Sequence, residues 1–242
     1  DYFNPIPLAS EDTQIVATSV SSHNSLYFNR TDPKYGMQAD FNYLRSRSFL
    51  TGGFENHYAQ SADFIVRWNV VKGFNTQTTY TYGIKGDESD FYANLRYRFH
   101  YNQASTDLAY QFKNFLRLDV KYDFALKINP TDTVGNQSAM INKATLEARY
   151  NRLKKSNITS SFSYISIKYN DKGYTNEQLQ YSMLDGLQNG NNLVWDLSYS
   201  QTLLNNLQLT LSYDGRMTGF SPGDKSTLKP VHTGRAELRA LF

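Results

Sequence analysis

The sequence has no cysteine and only 6 prolines in 242 residues. Without cysteine there is no disulfide scaffold, no thiolate metal site and no cysteine nucleophile. No stretch approaches the roughly 18 consecutive apolar residues of a membrane-crossing helix. Charged residues are 19% of the chain, below the roughly 25% usual for soluble domains. Lys+Arg at 25 against Asp+Glu at 22 leave a net charge of +3, too little for a nucleic-acid surface. No GxSxG, HExxH, P-loop or dinucleotide fingerprint occurs. What the chain does have is aromatic residues: 19 Tyr, 15 Phe and 2 Trp. A chain this aromatic is not disordered, yet its mean hydropathy is −0.59. Strands that alternate one apolar with one polar side chain reconcile the two, and the class built from them is the membrane β-barrel.

The alternation is plain between residues 116 and 128. Leu116, Leu118, Val120, Tyr122, Phe124, Leu126 and Ile128 interleave with Arg117, Asp119, Lys121, Asp123, Ala125 and Lys127. A helix, with its period of 3.6, would scatter both sets around its circumference. The same pattern recurs at Met37–Tyr43, Phe64–Val70, Phe74–Tyr82, Ala144–Tyr150, Leu193–Tyr199 and Leu207–Tyr213. In two places the apolar phase slips by one: Leu95, Tyr97, Phe99 and Tyr101 against Leu108, Tyr110 and Phe112, and Ile158, Phe162 and Tyr164 against Ile165, Ile167 and Tyr169. A slip exchanges the faces unless a residue is absorbed, so β-bulges are expected near Tyr164 and in 102–105.

Short connections are read at 71–73, 113–114, 153–157 and 204–206, longer polar ones near 47–56, 85–94, 130–142, 170–191 and 218–231. Short periplasmic turns alternating with long extracellular loops are the habit of outer-membrane barrels. Eleven strands follow, from 25–31 to 231–242. Because such barrels have even strand numbers, 13–21 is read as a twelfth, turning at Ser22-His23-Asn24. The expected fold is all-β: an antiparallel transmembrane outer-membrane barrel of about 12 strands (range 10–14). Residues 1–12, with two prolines and no leading signal region, read as an irregular lead-in or linker, and 13–242 as the barrel. A soluble sandwich or lipocalin-like barrel would point the apolar face inward. Dense charge of both signs on the polar face, and Tyr and Trp near strand ends, favour the membrane form.

The last strand places Gly234, Ala236, Leu238, Ala240 and Phe242 on one face and Arg235, Glu237 and Arg239 on the other. A terminal Phe with apolar residues at every second position resembles the β-signal read by the barrel assembly machinery, and closure is expected to join this strand to the first. Longer segments, among them SLYFNRTDPKYG (25–36), SFLTGGFENH (48–57), RWNVVKGFNT (67–76), YSMLDGLQNGNNLVWDLSYSQTL (181–203) and VHTGRAELRALF (231–242), resemble a group of large Bacteroidota outer-membrane proteins. The resemblance spans roughly 25–242. It implies the C-terminal part of a longer polypeptide and carries no activity with it.

The residues expected to face the lumen are Arg117, Asp119, Lys121, Asp123, Lys127, Glu147, Arg149, Asp214, Arg216, Arg235, Glu237 and Arg239. Their interleaved signs suggest cross-strand ion-pair ladders in a narrow or filled lumen, where a selective pore shows one sign at its constriction. His23, His57, His100 and His232 have no ligand spacing; His57 and His232 are read as loop-edge residues and His100 as lumenal, with no metal or cofactor. Ser161 and Ser163 share an inward face but lack an identifiable histidine partner. Asp132-Thr133-Val134 matches the short O-glycosylation motif of Bacteroidota, making Thr133 a modification candidate. The functional expectation is a non-enzymatic outer-membrane barrel that anchors or forms part of an envelope transport, secretion or assembly complex. Its partners are outer-membrane lipid and lipopolysaccharide, the assembly machinery and other envelope proteins, not nucleic acid. The alternatives are a passive or TonB-linked transporter or porin, and an outer-membrane lipid hydrolase.

Overall fold

The computed structural model describes residues 16–50, 53–69, 71–90, 92, 96–130, 137–152, 156–171, 176–204, 207–220 and 230–240. Eleven strands form: β1 Ala17–Phe28, β2 Tyr35–Leu50, β3 Gly53–Trp68, β4 Phe74–Ser89, β5 Tyr97–Phe112, β6 Leu116–Asn129, β7 Gln137–Arg152, β8 Ser156–Asn170, β9 Gly190–Leu204, β10 Leu207–Phe220 and β11 Val231–Ala240. A short helix, α1 (Glu177–Met183), lies between β8 and β9. Each strand pairs antiparallel with its sequence neighbour in one sheet of up-and-down barrel type. Ladders of 10 to 16 residues satisfy the backbone groups of every interior strand on both sides.

The count is eleven rather than twelve. Ser22, His23 and Asn24 do not turn the chain; they sit mid-ladder in β1, opposite Tyr43, Asn42 and Phe41. That segment has no glycine or proline to break it. The loop expected at 47–56 is also mostly strand, because β2 and β3 stay paired as far as Leu50 and Gly53. The Phe49 and Phe54 rings pack across the end of that ladder at 5.0 Å. β4 reaches Ser89 and β7 starts at Gln137, so the expected loops 85–94 and 130–142 shrink in the same way.

The expected bulges are absent from both ladders of β5 and of β8. Register shifts occur instead between β9 and β10. The phase slips have another cause, which is a change in what each face meets along its length. On β5, Tyr97, Phe99 and Tyr101 share a face with Ser105, Asp107 and Ala109, while Leu108, Tyr110 and Phe112 share the other with Asn102 and His100. On β8, Ile165, Ile167 and Tyr169 lie on the face of Ser161 and Ser163. Near the short turns the inner face is polar and the outer apolar. Near the longer connections, β5, β7 and β8 bring apolar residues to the inside, while β6 keeps the buried Lys127 and Asn129 there.

The inside is apolar there because α1 lies against it. Leu179, Met183 and the following Leu184, all but fully buried, pack with Tyr97, Phe99, Ala125, Ala139, Ile141, Ile165 and Ile167. Burial of each large side chain contributes about 1.5–3 kcal/mol. Gly83 accommodates the same interior, because a Cβ there would collide with the ring of Tyr101 and with Gln60 O. At the short-turn end, Arg67 reaches into the β1–β2 connection and donates from Nη2 to Asp32 O at 2.8 Å and to Arg30 O at 3.3 Å.

No ladder joins β1 to β11 among the described residues, so the expected closure of last strand on first is not met. Only a parallel ladder could join them. Eleven strands that alternate in sense leave β1 and β11 running the same way, and an antiparallel bond between them cannot form.

Candidate functional site: a polar lumen under a helical plug

The residues expected to face the lumen share one face of the sheet by register. Asp119, Asp123 and Lys127 are buried on the inner face of β6, with Arg117 ahead of them and Lys121 between the two aspartates. Glu147 and Arg149 share that face on β7 with the buried Thr145. By register, Asp214, Arg216, Arg235, Glu237 and Arg239 fall on the same side of β10 and β11, where they are exposed.

Among the described residues, the ion pairs within this set on β6 and β7 run along their own strands. Arg117 donates from Nη2 to Asp119 Oδ1 at 2.7 Å and from Nε to both carboxylate oxygens at 2.9 Å. Arg149 Nη2 meets Glu147 Oε2 at 2.9 Å, and Lys121 Nζ lies 3.5 Å from Asp123 Oδ1. Across the β6–β7 ladder near the short turns, Arg117 stands opposite Arg149 and Asp119 opposite Glu147, while farther along Asp123 stands opposite Lys143. The charges are thus layered by height, a basic level toward the short turns and an acidic level above it. Same-strand pairing compensates the like-charge contacts that the register imposes. The cations at the ends of these pairs are half exposed, so each bridge is worth about 0–1 kcal/mol.

Above the acidic level the plug takes over. Asn176 caps α1 by accepting from Leu179 N at 3.0 Å, and its amide donates to Arg96 O at 3.3 Å, tying the helix start to β5. Ser182 donates to Tyr97 OH at 3.0 Å. After the helix the chain turns through left-handed Asp185 and Gly186. That turn aims Asp185 at Lys127, with Oδ1 2.6 Å from Nζ. The fully buried Asn192 then accepts from Gly219 N and donates to Gln188 O, binding the connection to β10. Residues 170–191 read as a loop in sequence. The missed signal was Leu179, Met183, Leu184 and Leu187 at helical spacing behind an Asn cap and ahead of a glycine.

The outer face carries two aromatic rows. At the short-turn rim stand Trp68, Phe74, Tyr110, Phe112, Phe115 and Tyr150. Phe74 and Tyr110 pack at 4.6 Å, Phe112 and Phe115 at 5.5 Å, and Phe115 and Tyr150 at 5.9 Å. Farther along, a repeated diagonal appears: Tyr80 OH to Asn102 Oδ1 at 2.8 Å, Tyr122 OH to Asn142 Oδ1 at 2.8 Å and Tyr164 OH to Asn191 Oδ1 at 2.7 Å. Tyr82 with His100 and Tyr213 with His232 continue it. Trp195 joins this row, its indole lying over Gly215 and 5.6 Å from His232. Between the rows the surface is apolar and exposed, with Val120, Leu146, Phe162, Leu197 and Leu211. Beyond the second row Glu88, Arg98 and Lys168 share the outer face.

The histidines are distributed differently from the expectation. His100 faces outward with Tyr82 and is not lumenal. His57 lies inside β3, whereas His232, the second residue of β11, sits at the edge of the connection before it. His57 Nδ1 is 2.7 Å from Asp87 Oδ1, and no group of three potential metal ligands forms among the described residues. Ser163 is bonded to Thr145 Oγ1 at 2.9 Å rather than to a histidine. Gly234, Ala236, Leu238 and Ala240 share the outer face of β11, whereas Phe242 and Thr133 lie outside the described residues.

No family model matches the chain, and no curated protein does. Among solved structures, the crystal structure of the beta domain of the Bordetella autotransporter BrkA aligns over 93% of this chain and 91% of its own, at 10% identity and a TM-score of 0.44.

Proposed function

We propose that the chain is the wall of an integral outer-membrane β-barrel whose lumen is stopped by α1, and that its role is structural within a larger envelope transport, secretion or assembly complex. The observation that carries this reading is the pair of aromatic rows with an apolar surface between them. On β4 the rows are marked by Phe74 and Tyr82, eight residues apart. At about 3.3 Å per residue and a tilt of roughly 40°, that spans about 20 Å, close to the roughly 25 Å apolar band of outer-membrane barrels. Aromatic rings with polar tips belong at such interfaces, and the Tyr–Asn bonds supply the tips.

In this reading the phase slips on β5 and β8 mark where the strands leave the lipid. Above the tyrosine row the outer face meets water and turns polar, while the inner face holds the plug. The longer connections are extracellular, and lipid and lipopolysaccharide cover the outer face. The role is non-enzymatic, because the inward polar groups pair with one another in layers and do not converge on a reactive group.

Fractionation and planar-bilayer recording test this. The protein is expected to resist alkaline carbonate extraction, to shift in gel mobility on heating, and to show little conductance as isolated. Extraction into the soluble fraction would reject the membrane reading, and large stable conductance steps would reject the stopped lumen.

A further inference from the structure

We infer that β1 and β11 are completed in the membrane by an odd number of further antiparallel strands, supplied by the same polypeptide ahead of β1. This rests on the membrane reading above. The argument starts from parity: with all ten ladders antiparallel, the two edge strands run in one direction. One intervening strand, or any odd number, restores antiparallel bonding on both sides; none, or an even number, does not.

The edges are built to be paired. Free edges in stable proteins are blunted by lysine, proline, bulges or a covering element. β1 contains no Lys, Arg, Asp, Glu or Pro, and its ladder with β2 runs without a break. Nearly all of β1 and all ten residues of β11 are exposed. In lipid an open row of backbone N–H and C=O groups costs several kcal/mol for each group, so a membrane sheet closes. Both edges keep the barrel alternation. Val20, Leu26 and Phe28 lie on the outer face of β1, as Ala236 and Leu238 do on β11, and His23 and Arg235 lie on the inner faces.

Two nearer candidates fail. A second copy would bring its β1 to this β11 with both strands still running the same way, because rotation about the barrel axis does not reverse strand sense. Residues 1–15 place Pro5 and Pro7 two apart. Both missing N–H groups then fall on one side of any strand there, which leaves one ladder broken. The entry point favours the same polypeptide. β1 starts at the rim of the longer connections, where Val16 O accepts from Phe49 N. A strand antiparallel to β1 finishes at that rim and can pass to β1 through residues 1–16, a stretch no longer than the 171–189 connection between β8 and β9. The completing strands are therefore expected to be ten residues or more, apolar outward and polar inward.

The test uses the full-length gene product in its own membrane, where the lack of cysteine in this region permits site-specific probes. A Ser22→Cys/Ala236→Cys double variant is expected to form no internal disulfide under oxidant. A photoreactive phenylalanine analogue at Asn24 or at Ala236 is expected to give adducts that peptide mapping assigns to polypeptide preceding residue 1. A disulfide between positions 22 and 236 of the double variant, adducts to a second copy or another protein, or adducts to lipid alone would overturn the inference. Carbonate extraction of the same samples separates the two failures: soluble protein rejects the membrane reading, and membrane-retained protein with wrongly partnered edges rejects only the completion by upstream strands.

Discussion

The two ends of this sheet solve opposite problems with the same strands. Toward the short turns the chain puts Leu116, Leu118 and Val120 outward and Arg117, Asp119 and Lys121 inward. Toward the longer connections, β5 and β8 put Tyr97, Phe99, Ile165 and Ile167 inward against α1, with Arg98 and Lys168 outside. The backbone is continuous and its side-chain period unchanged. In the proposed membrane setting only the surroundings switch, from lipid outside and water inside to water outside and a packed helix inside. A phase slip in a strand pattern can therefore record a change of environment with no irregularity in the ladder.

The contrast can be broken most directly at the plug. Met183→Ala should cost about 2–5 kcal/mol of local stability, because the side chain is fully buried and leaves a cavity. The loss is expected as faster hydrogen exchange in 176–189, with β6 and β7 near the short turns unaffected. Uniform destabilisation of both ends would mean that they are not separate environments.

Substitution of an outward residue at each end sharpens the comparison. Arg at Val120, which faces outward between the aromatic rows, should cost about 2–4 kcal/mol. Ser166→Arg, beyond the tyrosine row, should change stability by less than about 0.5 kcal/mol. Unfolding in denaturant from lipid vesicles measures both, and equal costs would place both residues in one medium.

The smallest expected effect is at the helix cap. Asn176→Ala removes the acceptor for Leu179 N and should cost about 1 kcal/mol. Limited proteolysis should show a several-fold faster cut in 171–189 and no change at the short turns.

Alternation made the strands legible, and with them the shared face of the charges on β6 and β7, since period 2 is fixed by backbone geometry. It could not show which face a strand's two halves would need, because that depends on α1, which is distant in sequence from β5. The helix escaped because its 7 residues, about two turns, give little periodicity, although Leu179 and Met183 carried it. The pairing of Arg117 with Asp119 rather than with a neighbour strand depends on register, and register placed Arg149 opposite Arg117. His100 was misread because β5 was thought to slip phase; with an unbroken ladder it falls on the face of Asn102 and Leu108.

The chain has only 2 tryptophans, and they stand on opposite aromatic rows. Trp68 ends β3 at the short-turn rim, 63% exposed, and Trp195 lies over Gly215 beside the tyrosine row. The molecule thereby carries an optical depth gauge. With Trp195→Phe, emission reports one rim alone, and with Trp68→Phe the other. Quenchers confined to a single leaflet should then darken one variant and spare its counterpart, which reads the orientation of the sheet from fluorescence without any added label.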